Sequence, residues 1–215
     1  YLPDDRVATT YVSNHDHSHV AWWAGQANQA GGREWHWSQP YAMALLTAPG
    51  APMIQNGQEF TQDYWILEDE QGGNRRVRPR PLWWSLVDEK YGKASLAAYK
   101  KLIAIRNAHP ALRSNNLYPA GWEDWQTRFN EYGYGLDTER QLVIYHRWGK
   151  DDNGQIERFI VVLNFSSAPQ TTDVPFSVDG LWHELLEGRT VSVSGFWLRN
   201  QPINPHWGKI YYHNG

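Results

Sequence analysis

The sequence predicts an α/β segment ordered strand–helix–strand–helix, followed by an antiparallel all-β sandwich. Three observations carry this. Two short β-rich runs, Thr9-Thr10-Tyr11-Val12-Ser13 and Pro52-Met53-Ile54-Gln55-Asn56, are each followed by residues of helical pattern. After about residue 114 the apolar period changes from helical to alternating. From there on, turn residues recur at short intervals, as they do in sandwiches. The expected division is therefore 1–113 and 114–215.

Each element has its own warrant. Thr9 to Ser13 is β-branched and aromatic, hence a strand. Residues 17–38 read as a long polar loop rich in Gly, Gln, Asn and Trp, and loops of that length are mostly functional or disordered. Tyr41 to Thr47 reads as a short buried helix, with Ser38 as its N-cap and Pro40 in its first turn. Pro49-Gly50 stops it, and Gly57 after the second strand permits a tight turn. Thr61 to Trp84 is irregular: Arg78-Pro79-Arg80-Pro81 cannot continue a helix or a central strand. Ser95 to His109 is the strongest helix, with Leu96, Tyr99, Leu102, Ile103 and Arg106 on one face and Pro110 as its stop. Gln141 to Arg147 alternates, Arg158 to Phe165 is a buried strand, and Asp151-Asp152-Asn153-Gly154 turns between them. Further strands are expected at 172–176, 182–186, 191–193, 196–198 and 209–212. No internal repeat or low-complexity tract is present.

Composition excludes several classes. With 20 Lys and Arg against 23 Asp and Glu, the net charge is −3 and the signs are interspersed. No basic stripe marks a nucleic-acid partner. The short Arg75-Arg76 and Arg78–Arg80 run reads as a solvated or ion-paired loop. No apolar run nears the roughly 20 residues a membrane span needs, and Leu2-Pro3-Asp4-Asp5-Arg6 lacks the apolar core of a signal peptide. Cysteine is absent, so no disulfide can form and the compartment stays undetermined. The chain opens on Tyr1, which reads as a piece of a longer polypeptide. The unusual feature is 13 Trp beside 12 Tyr. Flat amphipathic rings fill cores and also stack on sugars. Trp22, Trp23, Trp35 and Trp37 lie in a polar, Gly-rich stretch that is hard to assign to a core.

The chemistry-bearing residues sit at strand ends. Tyr11-Val12-Ser13 runs into Asn14-His15-Asp16, an amide, an imidazole and a carboxylate at one tip. Gly50-Ala51-Pro52-Met53-Ile54-Gln55-Asn56-Gly57-Gln58-Glu59-Phe60 delivers Glu59 past the next strand. His15, His17 and His19 recur at every second residue. On a strand they share a face that a metal can use; past a strand end, His17 and His19 are loop residues. Asp16 and Glu59 read either as a carboxylate pair or as one exposed acid and one buried, hydrogen-bonded Glu. Trp84, after Trp83, serves equally as a stacking platform or as packing beneath the long helix.

The ordered series then continues through Tyr99 to Arg113 (Tyr-Lys-Lys-Leu-Ile-Ala-Ile-Arg-Asn-Ala-His-Pro-Ala-Leu-Arg) and Val161-Val162-Leu163-Asn164-Phe165-Ser166. Over nearly the whole chain it resembles the C-terminal part of the α-amylase family of glycoside hydrolases. The resemblance implies a partial (β/α) barrel segment, its last two strands and helices, followed by the family's antiparallel all-β sandwich domain. It implies that His15 binds a hydroxyl at the cleaved sugar. Asp16 is then the third acid, stabilising an oxocarbenium-like transition state, and Glu59 supports the barrel mouth. Asn14, Trp22, Trp23, Trp35, Trp37 and Trp84 become candidate sugar contacts. The expected partner is an α-linked glucan or oligosaccharide such as starch or maltooligosaccharides, with no cofactor, metal, nucleic acid or membrane.

The departures shape the expected activity. Retaining glycosidases use two carboxyl groups about 5–5.5 Å apart. The family's nucleophile and acid–base motifs precede Asn-His-Asp, and Tyr1 to Ser13 contains neither. Two parallel strands do not close a barrel, and their edges invite pairing. The expectation is an incomplete or weakly active portion, completed by an N-terminal barrel portion, by a second copy, or by packing on the sandwich. The alternatives are a non-catalytic carbohydrate-binding module and a metal-binding protein using His15, His17 and His19.

Overall fold

A computed structural model describes residues 7–27, 35–63, 79, 81–121, 123 and 125–215. The Gly72–Arg76 stretch, Arg78, Arg80, Glu34 and Glu68–Glu70 lie outside the described residues.

The first half is built on one parallel strand pair. β1 (Thr9–Thr10) lies beside β2 (Ala51–Pro52) with Thr9 opposite Ala51 and Thr10 opposite Pro52. Amide N–H groups of Ala51 and Met53 donate to the carbonyls of Ala8 and Thr10, both at 2.8 Å. The connection carries α1 (Val20–Ala27) and α2 (Gln39–Thr47). α1 corrects the expectation of a continuous loop over 17–38. Its start is fixed from a distance: Ser13 Oγ accepts the Val20 N–H at 2.7 Å in a buried position. A cap supplied seven residues upstream has no local sequence signature. At α2, Pro40 lies in the first turn as expected, but Ser38 is in helical conformation and makes no capping hydrogen bond.

α3 (Lys90–Ala108) starts five residues before the expected Ser95. Glu89 precedes it, and Ser95 is buried within the helix on the same stripe as Tyr99, Leu102 and Arg106. Gly92 lies so close to the Leu86 carbonyl that no side chain fits. Packing thus overrides a propensity cost of about 1 kcal/mol.

The second half is antiparallel throughout. β3 (Leu117–Tyr118), β4 (Gly135–Asp137), β5 (Leu142–Lys150), β6 (Ile156–Asn164), β8 (Gly180–Glu184), β9 (Arg189–Val193) and β11 (Trp207–Asn214) form a seven-stranded sheet ordered β3-β5-β6-β11-β8-β9, with β4 also on β5. β7 (Gln170–Pro175) and β10 (Trp197–Ile203) pair as a second, two-stranded sheet. Asp151 Oδ1 accepts the N–H groups of Asn153 and Gln155, closing the β5–β6 hairpin at the expected turn. β10 runs past its expected end through Pro202, which an edge strand tolerates. β3 and β4, only two and three residues long, leave no readable alternation.

β6 explains the layering. Phe159, Val161 and Leu163 enter a cluster with Met43, Leu46, Tyr99 and Leu102 from the helices. Ile160 and Val162 point the other way, into a cluster with Val174, Phe176, Trp182 and Ile203. Period-two alternation on a strand buried on both faces makes the main sheet the middle of three layers.

Two buried guanidiniums converge on the end of α2, and one of them, Arg147, joins the halves. Arg147 on β5 is fully buried and donates to the carbonyls of Asn116 (2.6 Å), Ser114 (2.5 Å), Leu112 (3.4 Å) and Thr47. Arg106 on α3 donates to Leu46 (2.9 Å), Ala48 (3.0 Å) and Gly50 (2.6 Å). Burial lowers the Arg147 pKa to about 10, so it stays charged at neutral pH. Arg147→Met removes the donor to four carbonyls, two of the bonds fully buried, and is expected to lower stability by about 3 kcal/mol in urea unfolding; an unchanged midpoint contradicts the junction.

His146, on the opposite face of β5, is held down to about 4 by burial, and further by Arg158 and Arg147. Its folded pKa lies below the ordinary 6.5, so the unfolded chain takes up the proton first. Stability from this residue is complete above pH 6.5 and falls as the pH drops towards 4. Between pH 7 and 5 the loss is about 2 kcal/mol. His146→Gln is expected to flatten that part of the pH–stability curve; an equal slope in both proteins refutes the assignment.

Candidate functional site

Because β1 and β2 are parallel, the segments leaving them emerge at one end. The first segment folds on itself. Asn14 is buried, and its Oδ1 accepts the Asp16 N–H at 2.8 Å, an Asx turn that sets the direction of Asp16. The Asn14 carbonyl accepts the His17 N–H at 3.3 Å. His15 Nε2 lies 3.5 Å from Asp16 Oδ2; the His15 side chain is 77% exposed and that of Asp16 25%. The strand tip thus offers an imidazole and a carboxylate side by side on a rigid turn.

The second segment is built by amides. Gly57 at φ +89° allows the bend, and its carbonyl accepts the N–H groups of Phe60 and Gln62. Buried Gln58 donates to Tyr99 Oη at 2.7 Å. Gln62 donates to the Pro81 carbonyl at 3.2 Å and accepts the Trp83 N–H at 3.1 Å. Glu59 sits on this turn, half-buried, with Oε2 enclosed and no hydrogen-bond partner among the described residues. Burial pushes the Tyr99 hydroxyl strongly up, and the nearby Glu59 carboxylate adds to the rise, so Tyr99 stays neutral.

His19 ties the two segments together. It is buried, and its Nδ1 lies 2.7 Å from the Gln62 carbonyl. A carbonyl only accepts, so this nitrogen carries the proton. His19 is therefore a structural bridge. His15 and His17 are exposed, and among the described residues no group of three His, Cys, Asp or Glu could hold a metal. The structure does not assemble the three histidines.

The tryptophans divide. Trp22 and Trp23 stand on α1, not in a loop, with rings edge to face at 5.0 Å and Trp23 45% exposed. Trp37 tilts over buried His206 at 5.1 Å, so it packs against the sandwich. The Trp35 side chain lies outside the described residues. Trp84 is 66% exposed and lies 5.8 Å from the buried Phe60 ring. It both covers Phe60 and presents a face outward. Gln58, Gln62 and Tyr99 are not singled out by the sequence, and His19 enters there only as a candidate metal ligand; the signal for the amides is polar side chains flanking apolar Phe60.

No protein-family model matches the chain. Over 169 residues, 70% of the chain, it is 31% identical to the 1,4-alpha-glucan branching enzyme GlgB of Leifsonia xyli subsp. xyli, covering 18% of that protein. Over 196 residues, 90% of the chain, it is 26% identical to the alpha-amylase MalA of Haloarcula japonica, covering 23% of it. The chain thus spans about a fifth of the length of these relatives. Among solved structures, an Anoxybacillus alpha-amylase matches with a TM-score of 0.64 at 19% identity, over 96% of this chain and 38% of that one. AmyP in complex with maltose matches with a TM-score of 0.66 at 16% identity, over 98% and 41%. Over most of its length the chain is thus similar to a C-terminal portion of α-amylase-family enzymes, and it shares their fold there.

His19→Ala is expected to cost about 1–3 kcal/mol by stranding the Gln62 carbonyl. It should also speed hydrogen exchange at the Gln62 amide; unchanged exchange there contradicts the bridge.

Proposed function

We propose that this chain is the C-terminal portion of an enzyme acting on α-linked glucans, with residues 1–113 completing a (β/α) barrel and 114–215 forming its sandwich domain. The observation that carries the reading is the rigid Asn14-His15-Asp16 turn beyond β1, bridged by His19 to the segment beyond β2. In a glycosyl transfer, positive charge develops at the anomeric carbon. A carboxylate held in place by its own backbone stabilises that charge more in the transition state than in the ground state. Asp16 has this role. His15 binds a hydroxyl of the same sugar, and such contacts strengthen as the ring distorts. Asn14 holds the turn, and Glu59 supports the mouth beside Tyr99.

The named relatives act on starch-type glucans or carry maltose in their solved structures, which supports the substrate class. Trp23 and Trp84, both exposed, suit stacking on glucosyl rings. Beside β2, an apolar cavity of about 490 Å³ lined by Val7, Pro52, Ile54 and Ile103 supports a further barrel part, or a second copy, seating against the strand pair. The opposed nucleophile and acid belong to that part.

The test is reducing-sugar release from soluble starch and maltoheptaose. The 215-residue chain alone is expected to stay near the blank. In the full-length enzyme, Asp16→Asn is expected to lower kcat by about 10²–10³-fold. Turnover by the isolated chain that Asp16→Asn abolishes refutes its incompleteness. Full-length turnover indifferent to Asp16→Asn refutes the assigned role, and glucan binding without turnover in either form favours a binding module.

A further inference from the structure

The sandwich carries a cavity that the barrel-end chemistry does not use. It measures about 570 Å³ and lies among the loop before β4, the β7 end and the β10 start. His146 lines it from β5. Since Ile144 of the same strand points into the layer of Phe176 and Trp182, the cavity opens on the sheet face away from the helices.

Its rim is aromatic and held open at a cost. Phe196 is 54% exposed, yet its backbone is left-handed at φ +65°. A bulky residue gains nothing there from burial, and the conformation is unfavourable. The structure enforces it: Asp179 accepts the N–H groups of Gly195 (2.9 Å) and Phe196 (2.6 Å), and the Phe196 carbonyl accepts the Phe176 N–H at 2.9 Å. Tyr132 is 58% exposed across the cavity. Its loop is fixed by Asn130 Oδ1, which accepts the N–H groups of Tyr132 (3.1 Å) and Tyr134 (3.0 Å). Trp197 is pinned by the Arg199 guanidinium 4.5 Å from its ring centroid. Three rings are thus presented rigidly, so little side-chain freedom is lost on binding.

The polar lining selects the ligand. Glu131 and Ser177 line the same cavity, and Ser177 Oγ lies 3.4 Å from His146 Nε2. His146 is neutral at neutral pH. Arg199 is already paired with Asp173 at 2.7 Å. The lining holds a carboxylate and no Lys or Arg, which disfavours phosphate and other anions. Aromatic faces beside hydroxyl and carboxylate acceptors suit a neutral, polyhydroxylated ring. We infer that this cavity is a second carbohydrate site, in which Tyr132, Phe196 and Trp197 stack on sugar rings and Glu131 and Ser177 bond their hydroxyls. The choice of an α-glucan as its ligand rests on the function proposed above.

Isothermal titration of the 215-residue chain with maltoheptaose tests it. Tyr132→Ala and Trp197→Ala are expected to weaken binding about five- to tenfold each. Phe196→Gly separates recognition from folding. It relieves the left-handed backbone and removes the ring, so binding should weaken by a similar factor while the Tm holds or rises. No binding by the wild-type chain, binding indifferent to all three rings, or a Tm that falls in Phe196→Gly overturns the site. Binding through these rings, with full-length turnover indifferent to Asp16→Asn, would sink the catalytic reading alone.

Discussion

The C-terminus of α2 governs how this chain is assembled. A helix ends in unsatisfied carbonyls and a partial negative charge. Here Arg106 and Arg147 reach that end from two different elements and donate to Leu46, Thr47, Ala48 and Gly50. Neither guanidinium forms an ion pair among the described residues. Both charges are instead solvated by backbone dipoles, with Tyr145 close by and hydrogen-bonded to Thr47 Oγ1. Because Ala48–Gly50 leads straight into β2, the same contacts set where the second strand begins. Arg147 also holds the carbonyls of Leu112, Ser114 and Asn116. The passage from helical half to sandwich is therefore locked onto α2 by one side chain.

That lock explains why the halves share a core. α2 is short and carries small residues, Ala42 and Ala44, beside Met43 and Leu46. It lies against β6 and β11, and its apolar face would be exposed if the two halves parted. The central sheet therefore works on both faces: Phe159, Val161 and Ile210 towards the helices, Ile160, Val162 and Tyr211 towards the second sheet.

Much of this was legible because it is periodic. The alternation over 141–147 and the apolar run of 158–165 gave β5 and β6, and Asp151–Gly154 gave their turn. The sequence puts Asn14-His15-Asp16 at the tip of a strand over Thr9 to Ser13; the strand stops at Thr10, and an Asx turn follows at Asn14. The remainder was hidden because its causes are non-local. α1 depends on Ser13 reaching Val20, and α3 starts early because Gly92 meets Leu86. Arg106 looked like one more residue on a helical face, and Arg147 like the polar partner in an alternating strand. Trp37 looked like a loop aromatic, yet it rests on His206, far along the chain. His19 looked like a third ligand; its bond to Gln62 appears only once β1 and β2 are paired.

These causes also show which parts of the site are set by local bonds. The direction of Asp16 comes from Asn14 Oδ1, the start of α1 from Ser13, and the tie between strand ends from His19 and Gln62. Every one of these bonds lies within residues 13–62, so none depends on barrel closure. Glycosyl transfer has a different requirement: a pair of carboxyl groups flanking the scissile bond, about 5–5.5 Å apart in retaining enzymes. The turn bearing Asp16 and His15 is thus set by local bonds, and the segments beyond β1 and β2 carry Asp16 and half-buried Glu59.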